Sequence, residues 1–185
     1  MGDRLQPECV TDWRQRASSL IERAEALLAD PAVLERSPAP GAWSAAQVLE
    51  HLVLANESYL AVMRQGVERV GSATPGGRRW RPRLGGRLLV RSMRAPRPLP
   101  APAGFQPAAQ ARPQVQAAFI SEMRELGALL DRCADVPWNQ VRFGSPVLAL
   151  LRLNLGDGFE ILITHAERHF GQIDRAIAAT TSSTA

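Results

Sequence analysis

Residues 155–178 read L-G-D-G-F-E-I-L-I-T-H-A-E-R-H-F-G-Q-I-D-R-A-I-A. Phe159, Leu162, Ala166, His169, Ile173 and Ile177 recur at three- and four-residue spacing, the period of one helical face. A helix of this length with one apolar stripe needs other elements to cover it.

Three further segments can do so. Residues 8–29 repeat the rhythm with Val10, Trp13, Ala17, Leu20, Ala24, Leu27 and Leu28, before Asp30-Pro31 and S-P-A-P-G at 37–41 end it. Ser44 followed by Gln47 is a capping box, and Trp43 with Val48 suits a hydrophobic staple, so a helix starts there and runs to about residue 70. Residues 110–133 carry Val115, Phe119, Met123, Leu126, Leu129 and Leu130 on one face. The expected fold is all-α, a four-helix bundle forming a single domain over 1–180, with 181–185 a disordered tail. The short first link sets helices one and two antiparallel. A 37-residue connection at 71–107 can cross the bundle's length, which gives an up-down-down-up order.

That connection is rich in Gly, Pro and Arg. Within it G-R-L-L-V-R-S-M-R can form a short helix, with Leu84, Leu88 and Met93 inward and Arg87, Arg91 and Arg94 on another side. P-R-P-L-P-A-P after it reads as extended. D-V-P-W-N-Q-V-R-F-G-S-P is a turn-rich link, and V-L-A-L-L-R-L-N-L is either a short buried extended stretch or a helical turn.

All 22 basic residues are arginine. Between Glu68 and Glu122 no acidic residue occurs, whereas residues 71–121 hold nine arginines; the remaining 13 face 18 acidic residues elsewhere. The basic character thus belongs to one connection on a mildly acidic body. The charged start M-G-D-R-L-Q-P-E does not read as a signal peptide, and it lacks the Ser or Thr that a myristoylation signal carries at position 6. No apolar run reaches membrane-spanning length, so a soluble cytoplasmic protein is expected. Cys9 and Cys133 read as free, semi-buried thiols and not as a disulfide framework.

The chain has three histidines. His165 and His169, at i and i+4, stand one above the other on a mostly apolar face and can aim two imidazoles at one point. His51, early in the capped second helix, can supply a third. Neutral imidazoles at this spacing suit a divalent transition metal. The opposing reading is that such histidines are surface or hydrogen-bonded core residues. Gln172, three residues past His169, could orient that ring or a bound water, or simply be a polar residue at the mouth.

W-S-A-A-Q-V-L-E-H-L and, far downstream, H-A-E-R-H-F-G-Q-I together resemble the DinB-like superfamily of bacterial four-helix metalloproteins. The resemblance covers about residues 10–178 and implies a metal held by His51, His165 and His169. Zinc or nickel is favoured over iron or manganese, and open coordination positions remain. It also implies transferase or isomerase activity using a low-molecular-weight thiol, with a small-molecule electrophile as partner.

Arg87, Arg91 and Arg94 are candidates for binding the carboxylates of such a thiol or acid; alternatively they cover the acidic bundle and stay solvated. Glu50, Glu160 and Glu167 fall on other helix faces and are not assigned as general bases. The rival reading is a non-enzymatic module binding nucleic acid or a membrane surface through residues 78–97. Its Pro breaks and sparse aromatics, Trp80 and Phe105, count against nucleic acid. Exposed helix faces leave a homodimer open.

Overall fold

A computed structural model describes residues 2–27, 31–70, 79–96, 100–148 and 150–182. Four long helices dominate them: α1 (Gln6–Ala26), α3 (Ala45–Val70), α5 (Val115–Arg132) and α6 (Leu155–Ser182). Between them lie the short α2 (Pro31–Glu35) and α4 (Leu84–Arg94). Two small antiparallel ladders complete the set: β1 (Arg4–Leu5) with β2 (Arg79–Trp80), and β3 (Arg142–Gly144) with β4 (Arg152–Asn154). The fold is all-α in class. None of the described helices is long and apolar enough to cross a membrane.

Side-chain pairs fix how the long helices run. Arg14 meets Asp131 and Arg124 meets Glu25, so α1 and α5 are antiparallel. Arg16 reaches Glu167 and Arg23 reaches Asp174, so α1 and α6 run together. His51 lies beside His165 while Met63 lies against Gly158, which opposes α3 to α6. Helix α5 packs between α1 and α3, and α6 between them on the other side, leaving α1 and α3 across the diagonal.

The helix starts follow local chemistry. At α3 the Ser44 amide donates to Gln47 Oε1 at 3.0 Å, and the Gln47 amide donates to Ser44 Oγ at 3.2 Å, the reciprocal cap read from the sequence. Pro7 sits in the first turn of α1, where its missing N–H costs nothing, so α1 begins at Gln6, before the expected start. The third long helix begins at Val115, later than expected. Pro113 disfavours helical geometry in the residue before it, and Gln114 takes a left-handed φ of 57°. Helix α6 continues to Ser182, into the expected tail; Thr180 is buried and donates to the Ile177 carbonyl. Residues 183–185 of the expected tail, 28–30 at the end of the first helix and 97–99 of the extended proline stretch lie outside the described residues.

The core is built on aromatics. Trp13 stacks on Trp138 at 5.3 Å between ring centres, meets Trp80 edge-on at 5.0 Å, and adjoins Phe159. The basic connection is therefore anchored by Trp80 in the bundle's centre. Cys9 and Cys133 are both free and fully buried, and burial pushes each thiol up to about 11, which keeps it protonated and unreactive.

Helix α4 forms, but with a different inner face from the expected one. Leu84 and Leu88 are 70% and 57% exposed, whereas Gly86 and Val90 are buried and Leu89 and Met93 pack on the core. Gly86 explains the rotation: a Cβ there would collide with Asp157, and one on Gly85 would collide with Leu151. The two glycines let α4 approach α6 closely, and that approach fixes which side faces in. The V-L-A-L-L-R-L-N-L stretch resolves as strand β4 running straight into α6. Before it, Val147 and Leu151 are half-buried against the core, whereas Leu148 is 53% and Leu150 fully exposed.

Candidate metal centre

The start of α6 holds the later histidines in place. Asn154 and Asp157 cap each other: the Asp157 amide donates to Asn154 Oδ1 at 3.0 Å, and the Asn154 amide to Asp157 Oδ2 at 2.9 Å. Gly158 lies against Met63 and Phe143 with no room for a side chain, which brings α6 close to α3. Two to three turns further on, His165 and His169 face His51 on α3.

The three rings form a mutually edge-on cluster. Ring centres are 4.9 Å apart for His51 and His165, 4.7 Å for His51 and His169, and 4.6 Å for His165 and His169. One nitrogen from each ring lies within 4.8 Å of both others. His51 Nε2 and His165 Nε2 are 3.0 Å apart. Nitrogens about 2.1 Å from a shared ion stand roughly 3.0–3.4 Å apart at ordinary coordination angles, so this spacing fits a common ion.

Neighbours of the ring nitrogens set the tautomers. His51 Nδ1 is 2.6 Å from the Phe105 carbonyl oxygen, which can only accept; that nitrogen carries the proton and Nε2 is left with its lone pair. His169 Nδ1 donates in the same way to Gln172 Oε1 at 3.0 Å. Burial pushes His51 below its ordinary range, outweighing the Phe105 carbonyl, which favours the charged ring. It pushes His169 down to about 4, with His51 adding to the effect. His165 lies well below the ordinary range through burial first and then through His169, His51 and Arg168. All three rings are thus neutral at pH 7, the form that ligates metals. Trp43, expected as a staple on Val48, sets its ring 5.3 Å from His51.

The cluster lies in the wall of a cavity of about 1340 Å³. Apolar surface from Ala55, Leu89, Met93, Phe105, Val147 and Ile161 lines much of it, with Tyr59 further along α3. Helix α4 and the chain after it form the far wall. Arg168 on α6 holds that wall by donating to the carbonyls of Met93 at 2.6 Å and Ala95 at 2.8 Å. Buried Glu160 also holds it, accepting from Arg94, Trp13 and Arg16.

Among the anticipated site residues, His51, His165, His169 and Gln172 therefore share one cavity. Arg94 lines it but is paired with Glu160; Arg87 and Arg91 are exposed and are not among the described residues that line it. Glu50 is taken by Arg112, with donor distances of 2.9 and 3.0 Å, and Glu167 by Arg16 at 2.7 Å. Sequence reading missed Arg168 and Arg175, which line the cavity, and the Phe105 carbonyl. The arginines could have been found from their three-residue offsets to His165 and Gln172. A backbone carbonyl more than fifty residues from its partner leaves no mark in the sequence.

Compared with known protein families, residues 12–173 match the family described as the DinB superfamily. No curated protein and no solved structure matches the chain.

Proposed function

The chain belongs to the DinB superfamily, and from that premise we propose that His51, His165 and His169 hold one divalent transition-metal ion and that the cavity beside them is the active site of a thiol-dependent transferase or isomerase. Zinc or nickel suits three neutral imidazoles better than manganese does, and iron is intermediate. The observation carrying the proposal is the tautomer pattern: Phe105 and Gln172 each take an Nδ1 proton, which turns the Nε2 lone pairs of His51 and His169 to the shared interior. When bound, an ion with three protein nitrogens keeps positions open and can lower the pKa of a thiol or water and polarise a substrate oxygen.

The chain's own residues supply the rest. Gln172 and the Phe105 carbonyl hold the rings in orientation. The apolar wall of Leu89, Met93 and Ile161 excludes water from the reacting end, and Arg168 keeps that wall closed against α6.

Elemental analysis of the untagged protein tests the metal. About one equivalent of a transition metal in the wild type, lost in a His165→Ala, His169→Ala double variant, is expected. A wild type that carries none and takes up none when ions are added back would overturn the centre. For the activity, thiol-dependent consumption of an electrophile should disappear in His169→Ala; a rate unchanged by metal removal refutes it.

A further inference from the structure

The cavity reaches well past the histidines. Along α6, Thr164, Arg168 and Arg175 follow one stripe towards α4, beside the stripe of His165, His169 and Gln172, and all six line the cavity. Arg168 is committed to the Met93 and Ala95 carbonyls, and Arg94 to Glu160. Arg175 is different. It sits at the mouth and pairs with no carboxylate among the described residues, although Asp174 beside it is engaged by Arg23 at 2.7 Å. Its guanidinium lies back along the helix over Gly171: Nη1 is 3.6 Å from where a Cβ on that residue would be. The missing side chain leaves room beside the guanidinium, which is exposed at the edge of the cavity it helps to line.

The cavity's charge is one-sided. Its lining contains Arg94, Arg168 and Arg175 but a single carboxylate, Glu167, which is neutralised by Arg16. The rest of the lining is mainly apolar, with Gln172 between His169 and Arg175. A ligand matched to this arrangement has a reactive group at one end, a hydrocarbon body and an anion at the other end. Six residues, about 9 Å of helix axis, separate His169 from Arg175, roughly the reach of an eight-carbon acid. Arginine presents two parallel donors to a carboxylate, which a neutral amide cannot match in charge.

We infer that the cavity binds an amphipathic organic monocarboxylate, with Arg175 as the residue that anchors its carboxylate. This rests on reading the cavity as the active site, but it does not depend on the metal. The carboxylate could belong to the electrophile or to the thiol, and the two sources can be told apart.

The test is calorimetric titration of the full chain with octanoate, octanamide and 8-mercaptooctanoate, with metal content measured on each sample. Octanoate should bind about tenfold or more tightly than octanamide. Arg175→Ala should erase that preference while metal content stays unchanged, and Arg175→Lys should restore part of it. The His165→Ala, His169→Ala variant should still prefer octanoate, so a failed metal centre and a failed carboxylate subsite give different results. If octanoate and the mercapto acid bind alike through Arg175 with and without metal, the acid is the electrophile's. If metal loading tightens the mercapto acid well beyond octanoate, with Arg175 still setting the preference for the acid, the carboxylate is the thiol's. Equal binding of octanoate and octanamide, or a preference unchanged by Arg175→Ala, overturns the inference; a thermal melt of each variant separates loss of the subsite from loss of the fold.

Discussion

Gln172 and Glu122 show how one buried polar atom acts on its surroundings. Gln172 Oε1 takes the His169 Nδ1 proton, so replacing it with leucine frees that ring to rotate and to change tautomer. Partners of this kind are commonly worth ten- to a hundredfold in metal affinity. Gln172→Leu is expected to weaken metal binding by about that factor in a competition with a chromophoric chelator, with the helical circular dichroism unchanged. Glu122 makes a different case. One of its carboxylate oxygens is buried with no hydrogen-bond partner among the described residues, and burial pushes the carboxyl up to about 8. Its ordinary value is 4.5, so between pH 4.5 and 8 the folded chain keeps a proton that the unfolded chain has released. Stability therefore falls as pH rises through that window. Glu122→Gln removes the penalty. Discounted for the group's partial exposure, the gain is on the order of 1 kcal/mol at pH 8, a rise of about 2–4 °C in Tm. At pH 5 the variant and the wild type should melt nearly together, and calorimetry at the two pH values checks the sign.

The start of α6 is the element on which the site depends. Asp157 is fully buried, caps Asn154, and accepts the Arg83 amide at 3.2 Å, so it ties α4 to α6 as well as starting the helix. Loss of a cap alone costs about 1 kcal/mol, and the orphaned Arg83 amide adds a further 1–3 kcal/mol. Asp157→Ala should lower stability by about 2–4 kcal/mol in urea unfolding and loosen the α4 wall, visible as faster amide exchange over residues 84–94. The four long helices were legible because their apolar stripes hold register over many turns and because Ser44 and Gln47 mark a start. The histidine cluster was legible because i, i+4 spacing survives folding unchanged. The inward face of α4 was not. Leu84 and Leu88 are the bulkier residues, yet the contact belongs to Gly85 and Gly86, since the side chains of Leu151 and Asp157, before and at the start of α6, already fill the space that α4 packs against. Hydrophobic periodicity cannot report a place where small size is what packing requires. The partners of the basic connection, Asp3, Asp157 and Glu160, were likewise hidden, because they come from distant parts of the chain.

Taken over the whole molecule, the charge asymmetry of the sequence is largely folded away. The basic connection meets the acidic bundle at many points: Arg81 pairs with Asp3 at 3.3 Å, Arg94 with Glu160, and Arg112 with Glu50 at 2.9 Å and Glu57 at 2.7 Å. Arg83 is spent on the Arg152 carbonyl at 3.1 Å. Among the described residues of the connection, which leave out Arg78 and Arg97, Arg79, Arg87 and Arg91 are the exposed arginines without a carboxylate partner, too few to follow a phosphate backbone. Affinity for nucleic acid rises with the number of phosphates neutralised and falls steeply with salt, so two or three free cations give weak, non-specific attraction only. Trp80, which could have stacked on a base, is instead fully buried between Trp13 and Asn154. The chain is therefore expected to leave the anisotropy of a labelled DNA duplex unchanged at about 150 mM salt, where screening shortens the reach of surface charge to roughly 8 Å. A shift that persists at that salt and disappears when Arg87, Arg91 and Arg94 are changed to alanine would show that the connection acts outward, as an interface. Its absence would leave Arg94 the role the packing gives it, holding α4 over the cavity that the histidines share, with Arg87 and Arg91 as solvated surface charges.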